Sequence, residues 1–357
     1  MSDTQEMADR RKQLDHFMQL PLDEKIKLSL KYIRQWHDHY NGDVAVSFSG
    51  GMDSTVLLHM ARTIYPDTAG YFVDTGLEYP EIKAHVKNTP NVVTVRPKLT
   101  FKQVLDKYGF PLVSKRVSQY VCEVQRSKGE TATKRLRMTG IRTDGTFSKL
   151  GKIPDKWLHL VDAPFAISDR CCDALKKSPL ENIPHPMTGT RAEESQQRSL
   201  SFVEFGVNGF DLKKPRSTPL VFWRDLDIWE YVEVEGLEYA DCYKGDNAVA
   251  RTGCMFCMFG VHLEREPNRF QMMEITHPKQ WAYCMEKLGI REVLEYIGVP
   301  WENEPECNLL CGFTSGVEHD PGCPVLKKHN AEIERGERCG AGFKGCPGGP
   351  QCTLTHK

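Results

Sequence analysis

Apolar positions recur at helical spacing through residues 8–40: Leu14, Phe17, Met18 and Leu20, then Ile26, Leu28, Leu30, Tyr32, Ile33 and Trp36. Pro21 divides this stretch into two predicted helices, and Asn41-Gly42 closes the second. The period then changes. Residues 43–48 form a short apolar run that reads as a buried strand, followed by a glycine turn and a helix over about 53–64. Residues 70–74 read as a second strand, Glu81–Lys87 as a helix, and 91–96 as a third strand. This alternation predicts an α/β fold, a twisted parallel sheet with helices on both faces. Ligands of such sheets collect at the carboxyl ends of the strands. Ser49 and Asp74 both fall there, so one pocket is expected to contain both.

Beyond the third strand the pattern weakens. Residues 122–165 read as a polar, loop-rich insertion, and the basic segment as a whole spans 115–165. A short strand is expected between Phe202 and Phe210. Asp225–Glu233 has helical spacing of Leu226, Trp229 and Val232 or Val234, and a helix pair is expected over 278–297. From about 302 onward Gly, Pro and Cys dominate, and Gly345-Cys-Pro-Gly-Gly-Pro350 leaves little room for regular structure. The chain therefore divides into N-terminal helices (1–42), an α/β domain (43–300) and a Cys-rich C-terminal segment (301–357). No internal repeat is visible.

Composition narrows the class. With 357 residues, 40% hydrophobic and 27% charged, the chain is long enough for a sizeable core and has the balance of a soluble globular protein. No run of about 18 apolar residues predicts a membrane span. The polar opening, Met1-Ser-Asp-Thr-Gln-Glu, lacks a secretory core, so a cytoplasmic location is expected. A net charge of −1 gives no global reason to expect nucleic acid. Locally, ten Lys or Arg stand against three acids between Lys115 and Lys152. That stretch is either a solvated face or a surface for a phosphate-rich partner such as nucleic acid.

Two motifs carry chemistry. Ser49-Gly50-Gly51-Met52-Asp53-Ser54 follows a strand and opens a helix. Its unpaired amides and the helix dipole favour phosphate, and the glycines let a ligand approach the backbone. The candidate nucleotide contacts are Ser47, Ser49, Gly50, Gly51, Asp53, Ser54, Asp74 and Thr75, with Asp53 and Ser54 as candidate catalytic groups. The second motif is a double cysteine pair, Cys171-Cys172 and Cys254-x-x-Cys257, among 13 cysteines. An odd count without a signal sequence favours metal or redox use over a disulfide framework. Four thiolates suffice for zinc or a 4Fe-4S cluster; two unrelated pairs of buried cysteines are the alternative.

The order of these motifs, with Val73-Asp74-Thr75-Gly76-Leu77-Glu78, Gly189-Thr190-Arg191-Ala192-Glu193-Glu194 and Pro219–Val232 between them, resembles the phosphoadenosine phosphosulfate (PAPS) reductase family of the PP-loop, or adenine-nucleotide α-hydrolase, superfamily. The resemblance covers about residues 43–260. It implies a Rossmann-like PP-loop fold and, from the cluster-bearing branch, a 4Fe-4S cluster on Cys171, Cys172, Cys254 and Cys257. It also implies a substrate segment containing Arg191, Glu194 and Arg198, whose arginines offer guanidinium forks for phosphate or sulfate oxygens; surface ion pairs with Glu193 and Glu194 are the alternative for both arginines. Two departures matter. The Ser-Gly-Gly-x-Asp-Ser form goes, in the superfamily, with ATP bound with Mg2+ and split to AMP and pyrophosphate. The C-terminal Glu-Cys-Gly-Ile/Leu-His nucleophile motif of the reductases is absent; Glu306-Cys307-Asn308 and Arg338-Cys339-Gly340 are the nearest strings.

Three functions stay open. The first is an ATP-dependent sulfurtransferase, which adenylylates an acceptor and needs a sulfur donor such as a cysteine desulfurase. The second is a reductase of adenylylsulfate or PAPS, which needs a thioredoxin-like electron donor and a nucleophile among Cys307, Cys311 and Cys339. The third is a non-catalytic nucleotide-binding module. A second zinc or iron–sulfur site on Cys307, Cys311, Cys323 and His319 is the alternative to a loose, oxidation-prone tail. Cys122, Cys242 and Cys284 stand singly and are expected to be structural.

Overall fold

The computed structural model describes residues 3–303. Two amphipathic helices come first, α1 (Asp3–Gln19) and α2 (Leu22–His39), separated at Pro21 as the periodicity requires. The α/β rhythm follows: β1 (Ala45–Ser47), α3 (Met52–Ile64), β2 (Ala69–Val73), α4 (Pro80–Asn88) and β3 (Val92–Val95). Then come α5 (Phe101–Tyr108), β4 (Leu112–Val113), α6 (Lys115–Gln125), α7 (Ala132–Thr139), β5 (Pro186–Met187), α8 (Gln196–Phe205), β6 (Asn208–Gly209) and β7 (Arg216–Ser217). The last elements are α9 (Asp225–Glu235), β8 (Met258–Phe259), α10 (Arg269–Thr276), α11 (Pro278–Ala282) and α12 (Ile290–Tyr296).

Six strands make one sheet in the order β3-β2-β1-β5-β7-β6. Every pairing is parallel except β6 with β7, and Val46 of β1 sits between Gly70 and Met187. The sheet grows one way from β1 through β2 and β3, and the other way through β5. That reversal opens a crevice at the carboxyl ends of β1 and β5, the general ligand position of such sheets. The fold is α/β with a mostly parallel sheet, as the alternation predicts.

Two hydrophobic cores hold the molecule. The first joins the sheet to its helices through Val46, Phe48, Val56, Leu57, Phe72, Trp36 and Trp223. Buried polar ties fix α2 to it: Lys25 pairs with Asp227 at 2.5 Å, and Trp223 Nε1 donates to Ser29 Oγ at 2.9 Å. The second core gathers Leu112, Val117, Val121, Trp157, Phe256, Met258 and Phe270, and β4 pairs in parallel with β8 inside it.

Two expectations need correction. The 122–165 insertion, though rich in loop, carries more helix than its pattern shows, in α7 and the end of α6. Val117, Val121 and Val124 give α6 a buried face, Ser114 Oγ accepts from Val117 N at 3.2 Å, and α7 ends on left-handed Gly140 at φ +81°. The short strand expected between Phe202 and Phe210 is β6, Asn208–Gly209, while Phe202 itself lies in helix α8. In α9 the buried face is Ile228, Tyr231 and Val232, whereas Leu226 and Val234 are exposed. Residues 226 and 234 face solvent because the helix is anchored by Asp227 to Lys25, which turns its other side outward.

Candidate active site

The β1–α3 loop is shaped by its glycines and serines. Gly50 has φ +73°, and a Cβ there would lie 2.8–2.9 Å from Val86 and Ile82 of α4. A Cβ on Gly51 would come within 2.9 Å of Thr252 Oγ1. Ser54 Oγ accepts from Ser49 N at 3.1 Å and donates to Gly51 O at 2.9 Å; Gly51 N donates to Ser49 Oγ at 3.3 Å. The two serines thus brace the turn from inside, and Ser54 is buried. Helix α3 begins at once, so its first-turn amides have no partner within the helix.

That helix end opens on a cavity of about 190 Å3 at the crevice between β1 and β5. Ser47, Ser49, Gly51, Asp53 and Ser54 line it from one side, and Gly189, Arg191, Glu194 and Arg198 from the other. The two sides touch closely, since a Cβ on Gly189 would lie 2.9 Å from the Asp53 carbonyl group. A smaller neighbouring cavity of about 130 Å3 shares Ser47, Ser49 and Thr252 and is walled by Phe48, Phe72, Ile82, Glu78 and Lys176.

Charge is concentrated around Asp53. Arg191, almost wholly buried, donates from Nε to Asp53 Oδ1 at 2.7 Å, from Nη1 to Glu193 at 3.0 Å and from Nη2 to Asp225 at 2.9 Å. Its guanidinium is occupied by three carboxylates. Burial raises the Asp53 carboxyl above its usual range, with Arg191 and Arg251 pulling the other way. The Glu194 carboxylate is buried between Arg198 and Arg251. Of the three sequence-predicted substrate residues, all line the cavity, Arg191 as the brace of Asp53 and the other two as part of an arginine–glutamate–arginine ladder.

Asp74 and Thr75 lie elsewhere. The Asp74 carboxylate pairs with Lys83 at 2.7 Å and Arg96 at 3.3 Å, and Thr75 bonds Glu78 through both its amide and its hydroxyl. Neither lines either cavity. The turn after β2 folds back on itself and presents Glu78 instead.

The four predicted metal-binding cysteines share one neighbourhood. Burial pushes the Cys171 thiol strongly upward, and Cys172, Cys254 and Cys257 push it further; burial likewise raises Cys254 to about 11. Lys176 faces them: burial works against its charge, but Cys254, Glu78 and Cys172 outweigh that and raise its pKa. Burial thus keeps the Cys171 and Cys254 thiols protonated when nothing is bound, while four cysteine sulfurs are the donor type an iron–sulfur cluster takes. Among the described residues, no three His, Cys, Asp or Glu side chains stand close enough to hold a single metal ion. The tail candidates Cys307, Cys311, Cys323, Cys339 and His319 lie outside the described residues.

Residues 43–259, more than half of the chain, match the phosphoadenosine phosphosulfate reductase domain. The chain belongs to this family. It is 32% identical to an adenosine 5'-phosphosulfate reductase of Oceanobacillus iheyensis over 236 residues, which cover 63% of this chain and 75% of that one. It is 23% identical over 313 residues to an uncharacterized protein of Methanocaldococcus jannaschii, covering 85% of this chain and spanning 59% of that protein's length. The crystal structure of a PAPS reductase from Candida auris, a phosphate complex, superposes with a TM-score of 0.34 at 14% identity over 64% of this chain and 88% of that one.

Within this PAPS reductase domain, several pocket residues escaped sequence reasoning. Arg251 and Thr252 stand just before Gly253-Cys254, so their place beside the motif was the available signal. Tyr243, whose hydroxyl lies 2.6 Å from Thr252 Oγ1 and accepts from Met52 N at 3.4 Å, carried none. Asp225 and Trp229 reach the cavity from the first turns of α9. No helix among the described residues is long and apolar enough to cross a membrane.

Proposed function

We propose that this PAPS reductase-family chain binds ATP with Mg2+ and cleaves it to AMP and pyrophosphate, adenylylating an acceptor for sulfur transfer. The reading is carried by the intact Ser49–Ser54 loop, whose helix-end amides open on the cavity that also holds Asp53. In this reading an acceptor oxygen attacks the α-phosphorus, the α–β anhydride bond breaks, and pyrophosphate leaves with the electron pair. Asp53, held through Oδ1 by Arg191, offers its second oxygen to the cation. Arg198 and Arg251 supply positive charge for the departing phosphates, as guanidinium groups do in other phosphoryl-transfer sites. The smaller cavity, with its Phe48 and Phe72 walls, takes the adenosine.

Cys171, Cys172, Cys254 and Cys257 would hold the 4Fe-4S cluster, which when bound supplies sulfur carriage or electron transfer. The reading calls for a cytoplasmic sulfur donor of the cysteine desulfurase kind, and the 115–152 segment makes nucleic acid the acceptor class. Replacing Asp53 by Ala should abolish pyrophosphate release from ATP, measured with a coupled phosphate assay; release at the parental rate would reject the reading. Anaerobically purified chain should carry about four iron per chain, and Cys171→Ser should lose it; a colourless, iron-free parent protein would remove the cluster.

A second reading is reduction of adenylylsulfate or PAPS to sulfite and AMP with a thioredoxin-like donor. It is favoured by the names of relatives such as the Oceanobacillus iheyensis enzyme. Sulfite formed from adenylylsulfate with a dithiol and no ATP would select it.

A further inference from the structure

The 115–152 segment has a feature its charge alone did not announce. After α7 the chain turns back as a short hairpin: Ile141 bridges Phe147 in antiparallel fashion, Arg142 N donates to Thr146 O at 2.9 Å, and Ser148 N donates to Gly140 O at 2.7 Å. Asp144 closes the turn by accepting from Thr146 N at 2.9 Å, and Gly145 takes φ +82°. The backbone is thus satisfied within the hairpin itself. Yet it displays apolar side chains to solvent: Phe147 is 65% exposed and Leu150 71% exposed. One edge of the Phe147 ring lies over Gly140, where a Cβ would come within 2.5 Å of it.

The charges around it are one-sided. Glu123 is paired with Arg137, and Glu130 with Lys134, while Asp144 is hydrogen-bonded in the turn and keeps its charge near Arg142, so cations outnumber acids here without being wholly alone. Arg126, Lys128, Arg135, Arg142 and Lys149 are exposed, and among the described residues none of them has an ion pair. A solvent-facing aromatic among an excess of cations meets the two needs of an unpaired polynucleotide, a π-face for a base and charge for its phosphates. An acidic peptide would use the cations but has no use for a solvent-facing ring on a braced turn. We propose that the 139–150 hairpin is a docking site for single-stranded nucleic acid, with Phe147 stacking on a base and Arg142 and Lys149 on flanking phosphates. This rests on the nucleic-acid acceptor of the preceding section, though not on its ATP chemistry.

Fluorescence anisotropy of the full chain with a labelled 20-nucleotide single strand, its duplex, and polyglutamate, all without ATP, tests it. The single strand should bind more tightly than the other two. Phe147→Ala should weaken it about five- to tenfold, Phe147→Trp should restore it, and both variants should melt like the parent. Arg142→Gln with Lys149→Gln should also flatten the dependence on log salt by about 0.7 for each phosphate no longer neutralised. Binding of polyglutamate or duplex as tight as the single strand, or a Phe147→Ala variant that binds normally, overturns the proposal. Pyrophosphate release from ATP in the same preparations reports separately on the nucleotide chemistry.

Discussion

Arg191 shows how one side chain in a cavity wall can hold several carboxylates in place. A single planar fork satisfies Asp53, Glu193 and Asp225, and a lysine offers no such geometry. Arg191→Ala leaves Asp53 without its brace and should lower unfolding free energy by about 3 kcal/mol, read from urea titration; Arg191→Lys should retain most of the stability but lose pyrophosphate release. Parental turnover in both would deny Asp53 its need of a brace. Because burial holds the Asp53 carboxyl above its ordinary value, its ionised form is lost sooner as pH falls. The acid limb of pyrophosphate release should therefore lie above the ordinary carboxylate range of about 3.9. A pH profile with its acid limb at or below that range would contradict the assignment. At this scale the sequence was most legible where partners are close in the chain. The loop could be read because Ser49, Gly51 and Ser54 bond one another, whereas Tyr243 and Thr252 reach the loop from nearly 200 residues away.

Elements were legible in proportion to how clean their faces are. α2 and α3 carry long apolar stripes and match expectation almost to the residue. α6 hid its valine stripe behind Lys115, Arg116 and Arg126, and α9 mixed two faces, so the periodicity alone chose the wrong one. The β2–α4 connection illustrates what local pattern cannot see: Asp74 closes it through Lys83 and Arg96 rather than serving a ligand. Burial by itself would raise that carboxyl, but Lys83, the Gly76 amide and Arg96 more than offset it, so the group titrates below its free value. A depressed acid stabilises above its unfolded pKa and loses that contribution as pH falls through the folded one. Asp74→Asn should thus lower stability by up to about 1 kcal/mol at pH 7, the contact being partly exposed. The difference should shrink as pH falls below the free carboxylate value of about 3.9 through the lower folded one, as urea titrations at pH 7 and at acid pH would reveal. An equal loss at the two pH values would mean that the contact is not electrostatic.

Across the whole molecule, the strand alternation of the first hundred residues foretold the sheet and its crevice. It did not foretell that β4 and β8, more than 140 residues apart, would pair to found a second core. Two-residue strands leave no periodic trace. The two cores meet at Tyr79, which packs on both, next to the Met255 N to Leu77 O hydrogen bond of 2.8 Å inside the second core. Ligand in the crevice should accordingly stabilise the chain as a unit. A hundredfold excess of ATP over its Kd contributes about 2.7 kcal/mol; ATP should raise Tm above adenylylsulfate or PAPS at matched concentration, in a single transition. The reverse ranking would transfer the preference to the reductase reading.

Thr252 belongs to the walls of both cavities, and a lone glycine separates it from Cys254. The backbone there is a common axle. A molecule that engages the threonine hydroxyl therefore sits two residues from the first thiol of the Cys254–Cys257 pair. Were a cluster held there, as proposed above, nucleotide binding should change its colour or magnetic signature.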